Sequence, residues 1–344
     1  MQSNEIYMHR CLDLAALGLG KTYPNPMVGA VIVHQSKIIG EGWHQKAGEA
    51  HAEVHAVQSV KDVTLLINST LYVSLEPCAH EGKTPPCVDL ILKHKIPNVV
   101  VGCLDPFSKV SGKSIQKMKE AGVNVILGML EEECLATNKR FISLYVHKRP
   151  YIILKWAECL EGFIAPNDQA KGEPVWLISR ESKILVHKWR TEESSILIGR
   201  KTADVDNPAL TARLWKGKNP LRIVIDKDLK LEKNLQVFDE KVETLVFTQK
   251  SNADYGTMKY IQLPFEKPLN EIMKVLYQSN ISSIIIEGGR ETLQGFIDQE
   301  LWDEARVFVA NKKLKNGIMA PILKGKLLTE EKISSDTLKT FSRC

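Results

Sequence analysis

Apolar runs with strand character alternate with apolar residues at helical spacing along almost the whole chain, and that alternation allows few architectures. Met8, Leu12, Ala15 and Leu19 recur at the three-to-four spacing of a helix over Glu5–Leu19. Ala30-Val-Ile-Val33, the polar His34-Gln-Ser-Lys37 and Ile38-Ile39 predict a hairpin, and Val54, Val57 and Val60 a helix beginning near His51. Leu71–Leu75 is a strand. Pro86 suits a helix opening, so a helix is expected over Cys87–Lys95. Val99–Val101 and Val123–Leu127 then flank a helix from Ser114. Strands interleaved with helices in this way predict an α/β domain.

The pattern is interrupted at His147-Lys-Arg-Pro150 and restarts at Tyr151–Lys155. Strand runs follow at Ser195–Gly199, Leu221–Ile225, Leu245–Phe247, Ser283–Ile286 and Arg306–Ala310, with a helix over Glu181–Arg190 between them. A chain of 344 residues, 44% hydrophobic and 25% charged, is more than one ordinary core serves. Two domains are expected, 1–146 and 147–344, and disorder is not. No apolar run approaches membrane-spanning length and Met1–Tyr7 is polar, so a soluble cytoplasmic protein is expected. Seven cysteines, an odd number spread over a long chain, do not read as a disulfide framework. A net charge of +5 suits a phosphorylated small molecule and falls short of a nucleic-acid stripe.

His51-Ala-Glu53, Pro77-Cys78 and Pro86-Cys87 carry the strongest chemical signal. One imidazole and two thiolates hold a zinc ion and leave its fourth position for water, whose pKa then falls towards neutrality. Residues two apart on a helix do not share a face, so His51 is read as the ligand and Glu53 as the proton shuttle. Cys87, behind Pro86 at a helix start, gains thiolate character from the helix dipole. These are the parts of a hydrolytic deaminase, with one zinc per chain held by His51, Cys78 and Cys87. A closed structural zinc site would instead draw a fourth ligand from His55 or His80.

Thr22–Gly29, Gly42-Trp-His44, Ala47-Gly48, His51-Ala-Glu53 and Leu75-Glu-Pro-Cys-Ala-His-Glu-Gly-Lys-Thr-Pro-Pro-Cys87 closely resemble the bifunctional pyrimidine deaminase/reductases of riboflavin biosynthesis. Most zinc nucleobase deaminases have only two residues between the cysteines. The longer loop here resembles this family's. The resemblance implies a cytidine-deaminase-like three-layer domain followed by a dihydrofolate-reductase-like α/β domain. It also implies that Asn25, His44, His80, Lys83 and Asp105 line the deaminase substrate pocket, with Phe107 standing where the family usually has asparagine.

The second half resembles the same family's reductase domain through Trp176, Arg190, Thr202, Asp206–Arg213 and Ile286-Glu-Gly-Gly289. A strand turning into a helix through two glycines leaves backbone N–H groups open to a cofactor pyrophosphate. By resemblance NADPH meets Glu158, Trp176, Thr202, Asp206, Gly288 and Gly289, and the substrate meets Lys155, Arg190, Leu210, Arg213 and Glu287. Arg190 and Arg213 suit a ribose phosphate, and Arg200 or Lys201 the cofactor's 2′-phosphate. Glu158, Cys159, Glu161 and Pro174 depart from the family pattern.

The expected chemistry is hydrolytic removal of the 2-amino group from 2,5-diamino-6-(5-phosphoribosylamino)pyrimidin-4-one, then NADPH reduction of the ribosyl chain to ribityl. Two alternatives stand beside it: a tRNA-type nucleic-acid deaminase with an accessory domain, and a non-enzymatic zinc module. The first needs a basic channel with aromatic stacking platforms, which the sequence does not display. The partners expected are phosphorylated pyrimidines, with no nucleic acid or membrane, and a homo-oligomer.

Overall fold

The computed structural model describes residues 2–79, 85–106 and 112–343, the side chains of Gln2 and Ser3 excepted. The chain divides into two compact units, Met1–Lys148 and Arg149–Cys344.

The first unit runs α1 (Gln2–Ala16), β1 (Gly29–His34), β2 (Lys37–Trp43), α2 (Ala52–Gln58), β3 (Thr70–Leu75), α3 (Cys87–Lys93), β4 (Asn98–Cys103), α4 (Lys113–Glu120), β5 (Asn124–Leu127), α5 (Glu131–Thr137) and α6 (Lys139–Val146). Its sheet has the order β2-β1-β3-β4-β5: β1 is antiparallel to β2 and β3, whereas β3, β4 and β5 are parallel. Alternate strand residues feed two cores. Ala30, Ile32, Leu71, Val73, Val99 and Val101 pack with Ala52, Ala56, Val88, Ile91, Ile115 and Met118 of α2, α3 and α4. Val31, Val33, Tyr72 and Val100 face Met8, Cys11 and Leu14 of α1 and Cys134 of α5. The result is three layers. A sheet covered on both faces explains why Val99-Val100-Val101 is uninterruptedly apolar.

The first helix ends at Ala16, earlier than the spacing predicts, because the chain tightens through Leu17 N to Leu14 O and Gly18 N to Ala15 O before Gly20 turns at φ +80. Strand β2 extends to Trp43 through Gly42, where a Cβ would come within 2.5 Å of the Ala56 N and His55 Cβ of α2. That close approach brings α2, and with it His51 and Glu53, against the sheet.

The second unit runs β6 (Tyr151–Glu158), β7 (Phe163–Ala165), α7 (Arg180–Glu192), β8 (Ser195–Gly199), α8 (Arg200–Asp206), β9 (Leu221–Ile225), β10 (Thr244–Thr248), β11 (Met258–Gln262), α9 (Pro268–Gln278), β12 (Ser283–Gly288), α10 (Arg290–Asp298), β13 (Glu304–Val309), β14 (Ile318–Met319), β15 (Lys326–Ile333) and β16 (Asp336–Ser342). The nine-stranded sheet has the order β11-β10-β9-β8-β12-β6-β13-β16-β15. Strands β11 to β13 in that order are parallel, and the β15–β16 hairpin closes one edge antiparallel. Ile284 and Ile286 pack towards α9 and α10 while Ile285 packs with Val186 and Trp189 of α7. Ser179 caps α7 by accepting from Ser182 N. Asp336 of β16 accepts from Ser179 N at 2.7 Å and Ser182 Oγ at 2.6 Å, which anchors the start of that helix. No helix among the described residues is long and apolar enough to cross a membrane.

Candidate active sites

In the first unit the loop after β2, the approach to α3 and the end of β3 converge. His51 caps α2 from outside the helix, Glu53 sits in its first turn, and Cys87 is the first residue of α3 behind Pro86. The potential ligand atoms of His51, Cys78 and Cys87 all lie within 4.8 Å of one another. His51 Nδ1 is 3.3 Å from Cys87 Sγ and 3.5 Å from Cys78 Sγ, and the Cys87 N–H donates to Cys78 Sγ at 3.3 Å. A hydrogen bond from Cys87 and the nearby His51 hold the Cys78 thiol down to about 4, whereas Cys87 is pushed up because it keeps the proton the pair shares. Burial, then the Cys78 charge, raises the Glu53 carboxyl, which is only 3% exposed. Two sulfurs and an imidazole nitrogen closing one triangle, with a buried acid beside them, fit a tetrahedral zinc ion with an open position. His55 is outside that triangle, its Nε2 buried and without a hydrogen bond among the described residues.

The pocket wall next to this triangle is built by His44, whose ring meets that of His51 edge-on at 5.5 Å. His44 Nδ1 lies 3.1 Å from Ala50 O, so it carries the hydrogen, and Nε2 then accepts from Asn25 Nδ2 at 3.2 Å. Burial lowers the His44 pKa, which keeps that neutral arrangement. Two side chains that sequence reasoning missed fix backbone near the site, Asn138 at Met27 and Glu76 at the Asp105–Ser114 segment. Asn138, between α5 and α6, accepts from Met27 N at 2.8 Å and donates to Met27 O at 3.0 Å. Glu76, two residues before Cys78 and 4% exposed, accepts from Asp105 N (3.3 Å), Gly112 N (3.0 Å), Ser114 N (3.2 Å) and Ser114 Oγ (2.6 Å). It thereby ties the end of β3 to the segment bearing Asp105. A glutamate inside a Glu-Pro-Cys run was the available signal. His80, Lys83 and Phe107 lie outside the described residues.

In the second unit a cavity of about 670 Å³ opens at the carboxyl ends of the parallel strands, where open α/β sheets bind ligands. Lys155, Trp176, Thr202, Asp206, Glu287, Gly288 and Gly289 line it together, joined by Gln169, Lys227 and Arg290, which the sequence alone did not single out. Gln169 Nε2 donates to Asp206 Oδ1 at 2.7 Å. The starts of α8 and α10 face one another across the ends of β8 and β12, and neither has a side-chain cap. A Cβ on Gly289 would stand 2.9 Å from Thr202 Oγ1, and one on Gly199 would collide with Thr292 Oγ1. Glycine at both positions keeps open a backbone-lined cradle of the size and polarity that a dinucleotide pyrophosphate needs. NADPH fits there.

Other predicted residues have different surroundings. Arg190 closes its fork on Glu287 (Nη2 to Oε2 2.8 Å, Nε to Oε1 3.2 Å) and gives Nη1 to Thr211 O at 3.0 Å, so its donors serve the protein itself. Burial alone would raise the Glu287 carboxyl, but the Arg190 and Lys155 charges hold it at about 2. Lys155 Nζ lies 4.0 Å from Glu287 Oε2, and burial lowers its pKa. His187, 5% exposed, accepts from Leu214 N at 3.4 Å; burial and the Arg190 and Arg213 charges bring it down to about 4. Leu210 is buried at φ +54 and Arg213 is exposed. Lys201 is paired with Glu291 at 2.6 Å. Among the departures from the family pattern, Glu158 accepts from Trp156 Nε1 at 2.8 Å and Cys159 Sγ donates to Glu161 at 3.2 Å, so these three have partners close by in the chain.

A three-layer unit with a His-Cys-Cys zinc triangle and buried glutamate, joined to a parallel-sheet unit with a glycine-lined cofactor cavity, defines a zinc deaminase coupled to a nicotinamide-dependent reductase. Residues 1–103 match the cytidine and deoxycytidylate deaminase zinc-binding region, and residues 150–321 match the RibD C-terminal domain. The chain is 39% identical over 318 residues to the riboflavin biosynthesis protein RibD of Aquifex aeolicus, covering 91% of this chain and 88% of that one. It is 35% identical over 329 residues to RibD of Escherichia coli, covering 90% and 88%. The crystal structure of a diaminohydroxyphosphoribosylaminopyrimidine deaminase/5-amino-6-(5-phosphoribosylamino)uracil reductase from Thermotoga maritima superposes with a TM-score of 0.91 at 35% identity, over 100% of this chain and 99% of that one. The chain belongs to the RibD family of bifunctional deaminase/reductases of riboflavin biosynthesis, enzymes that use zinc and NADPH.

Proposed function

We propose that the first unit removes the 2-amino group of 2,5-diamino-6-(5-phosphoribosylamino)pyrimidin-4-one by hydrolysis. The second unit then reduces the ribosyl chain of 5-amino-6-(5-phosphoribosylamino)uracil to ribityl. The observation that carries this reading is the His51-Cys78-Cys87 triangle beside buried Glu53. Zinc, when bound, is a Lewis acid that makes water nucleophilic near pH 7. Glu53, buried beside the triangle, can carry one proton to the ring nitrogen beside the amino-bearing carbon, then another to departing ammonia. Asn25, oriented by His44, presents the rest of its amide to the ring edge. His80, Lys83 and Asp105 complete that pocket by family resemblance.

In the second unit NADPH supplies the hydride. Gly288, Gly289 and Thr202 shape its cradle, with Trp176 and Asp206 along the same cavity. The Lys155 ammonium, held by the Glu287 carboxylate, is placed to give a proton at the sugar, while Arg190 fixes Glu287 and the Leu210–Arg213 segment. The six described cysteines are free thiols, which supports a reducing, cytoplasmic setting. We also infer a homo-oligomer without nucleic acid: β15 is exposed along almost all its length at a sheet edge, with Leu327 and Leu328 outward. Ammonia release and NADPH oxidation, followed together on the diaminopyrimidine phosphate, test the sequence of steps. Ammonia release without subsequent NADPH oxidation refutes the second half of the reading.

A further inference from the structure

Between β7 and α7 the chain runs through Pro166-Asn-Asp-Gln-Ala-Lys-Gly-Glu-Pro-Val175 without regular structure. Prolines near both ends and Gly172 at φ +84 suit neither a strand nor a helix. The segment is nevertheless fastened to α8. Lys171 Nζ lies 2.8 Å from Asp204 Oδ1 of that helix and 2.9 Å from Glu232 Oε1, and Gly172 N donates to Val205 O at 2.7 Å. From Asn167 to Trp176 every residue is exposed except Gln169, which is half-buried and lines the reductase cavity. A tether on an otherwise exposed segment thus sets where one inward side chain stands.

Gln169 gives both amide hydrogens to the protein: Nε2 donates to Asp206 Oδ1 at 2.7 Å and to Glu173 O at 3.2 Å. Asp206 is the last residue of α8, where the negative end of the helix dipole opposes a carboxylate. Burial raises its pKa further, and the Gln169 hydrogen bond works against that rise by favouring the ionised acceptor. Among the described residues Asp206 Oδ2 accepts from no donor, so a half-buried carboxylate that lines the cavity keeps capacity for one more. Thr202, four residues earlier, shares that face of α8 and stands at the Gly289 cradle, so a dinucleotide held there runs past Asp206. We propose that Gln169 is a positioning residue of the reductase: it holds the Asp206 carboxylate so that the free oxygen accepts from an N–H or O–H donor of bound NADPH. This rests on the reductase reading above. The Lys171 tether keeps the glutamine over the cavity.

The test uses the zinc-loaded full chain with Gln169→Met, which keeps length and removes the donor, with Asp206→Ala, and with the double variant. The Kd of NADPH is read by calorimetry, and KM for 5-amino-6-(5-phosphoribosylamino)uracil by NADPH oxidation at saturating cofactor. Losing one hydrogen bond to a charged group should weaken NADPH about tenfold in Gln169→Met, with KM for the pyrimidine within about twofold. Asp206→Ala should weaken it at least as far. Adding Gln169→Met to Asp206→Ala should cost nothing further, because one residue acts through the other. Lys171→Gln, on an exposed side chain that leaves folding intact, should weaken NADPH about threefold, and Lys171→Arg should restore it. An unchanged Kd in Gln169→Met overturns the proposal, as do losses that add in the double variant. A raised pyrimidine KM with the Kd unmoved overturns it too, by assigning Gln169 to the substrate. A wild-type chain that binds no NADPH defeats the reductase reading instead.

Discussion

The candidate cofactor site of the first unit is made of three side chains, and that of the second is lined by backbone. His51, Cys78 and Cys87 place their ligand atoms within 4.8 Å of one another, and each is a residue type with few other reasons to stand behind proline or at a helix start. The dinucleotide cradle depends on what is missing: Gly199 and Gly289 leave room opposite Thr292 and Thr202. Side-chain chemistry at one point is sensitive to single replacements by orders of magnitude. A backbone cradle spreads its contacts and tolerates change until a Cβ enters it. Substitutions that separate the two kinds of site by size of effect therefore test the contrast.

The largest effect is expected from Glu53→Gln, which keeps shape but removes the proton acceptor. Ammonia release should fall on the order of ten-thousand-fold, the upper end for a general acid/base, because one residue serves successive transfers. Zinc content by elemental analysis and NADPH oxidation with the deaminated substrate should stay unchanged. Deamination near the wild-type rate in the zinc-loaded variant contradicts the role. Next comes Cys87→Ser. Replacing a ligand should cost at least about a hundredfold in zinc affinity, the upper end of what outer partners cost, and deamination should fall with occupancy. If occupancy holds at limiting zinc, Cys87 is not a ligand.

In the second unit Gly289→Ala should weaken NADPH by only about tenfold, since Thr202 can move part of the way, and calorimetry reads it directly. An unchanged Kd would remove the cradle from the cofactor's path. The smallest effect is on stability. His187 sits at about 4 in the fold, below its ordinary 6.5, so its contribution is complete above pH 6.5 and lost as pH falls from there towards 4. Glu287, at about 2, adds a second loss from about pH 4.5 downward. Melting of the reductase unit across that range should decline in two stages, and His187→Asn should erase the first. A melting temperature that stays flat between pH 6.5 and 4 would contradict the buried neutral histidine.

The same contrast governs what could be read without coordinates. The zinc triangle was legible because its residue types are rare and their chemistry is specific. Strands such as Ile284–Ile286 were legible because a sheet covered on both faces needs unbroken apolar runs. The β15–β16 hairpin was not: β15 is exposed at nearly every position, so alternation has no buried face to mark. Helices α5 and α8 bury only one residue each, Cys134 and Ala203, so apolar spacing has little to mark. Glu76 and Asn138 escaped notice because they bind backbone, and sequence does not say which backbone will be near. Arg190 shows the converse. Its residue type and the family resemblance both single it out for the substrate, but neither discloses the carboxylate 97 positions away, Glu287, on which its fork closes.

Asn138 clamps the backbone of Met27 across 111 positions of chain. During synthesis the segment bearing Asn25 leaves the ribosome long before the residue that fastens it. Until the α5–α6 junction has emerged, Asn25 and its neighbours have no anchor at Met27. The catalytic pocket is therefore closed by one of the last parts of its own unit to be made, and truncation before residue 138 should leave a nascent chain able to gather zinc but not to hold its substrate wall in place.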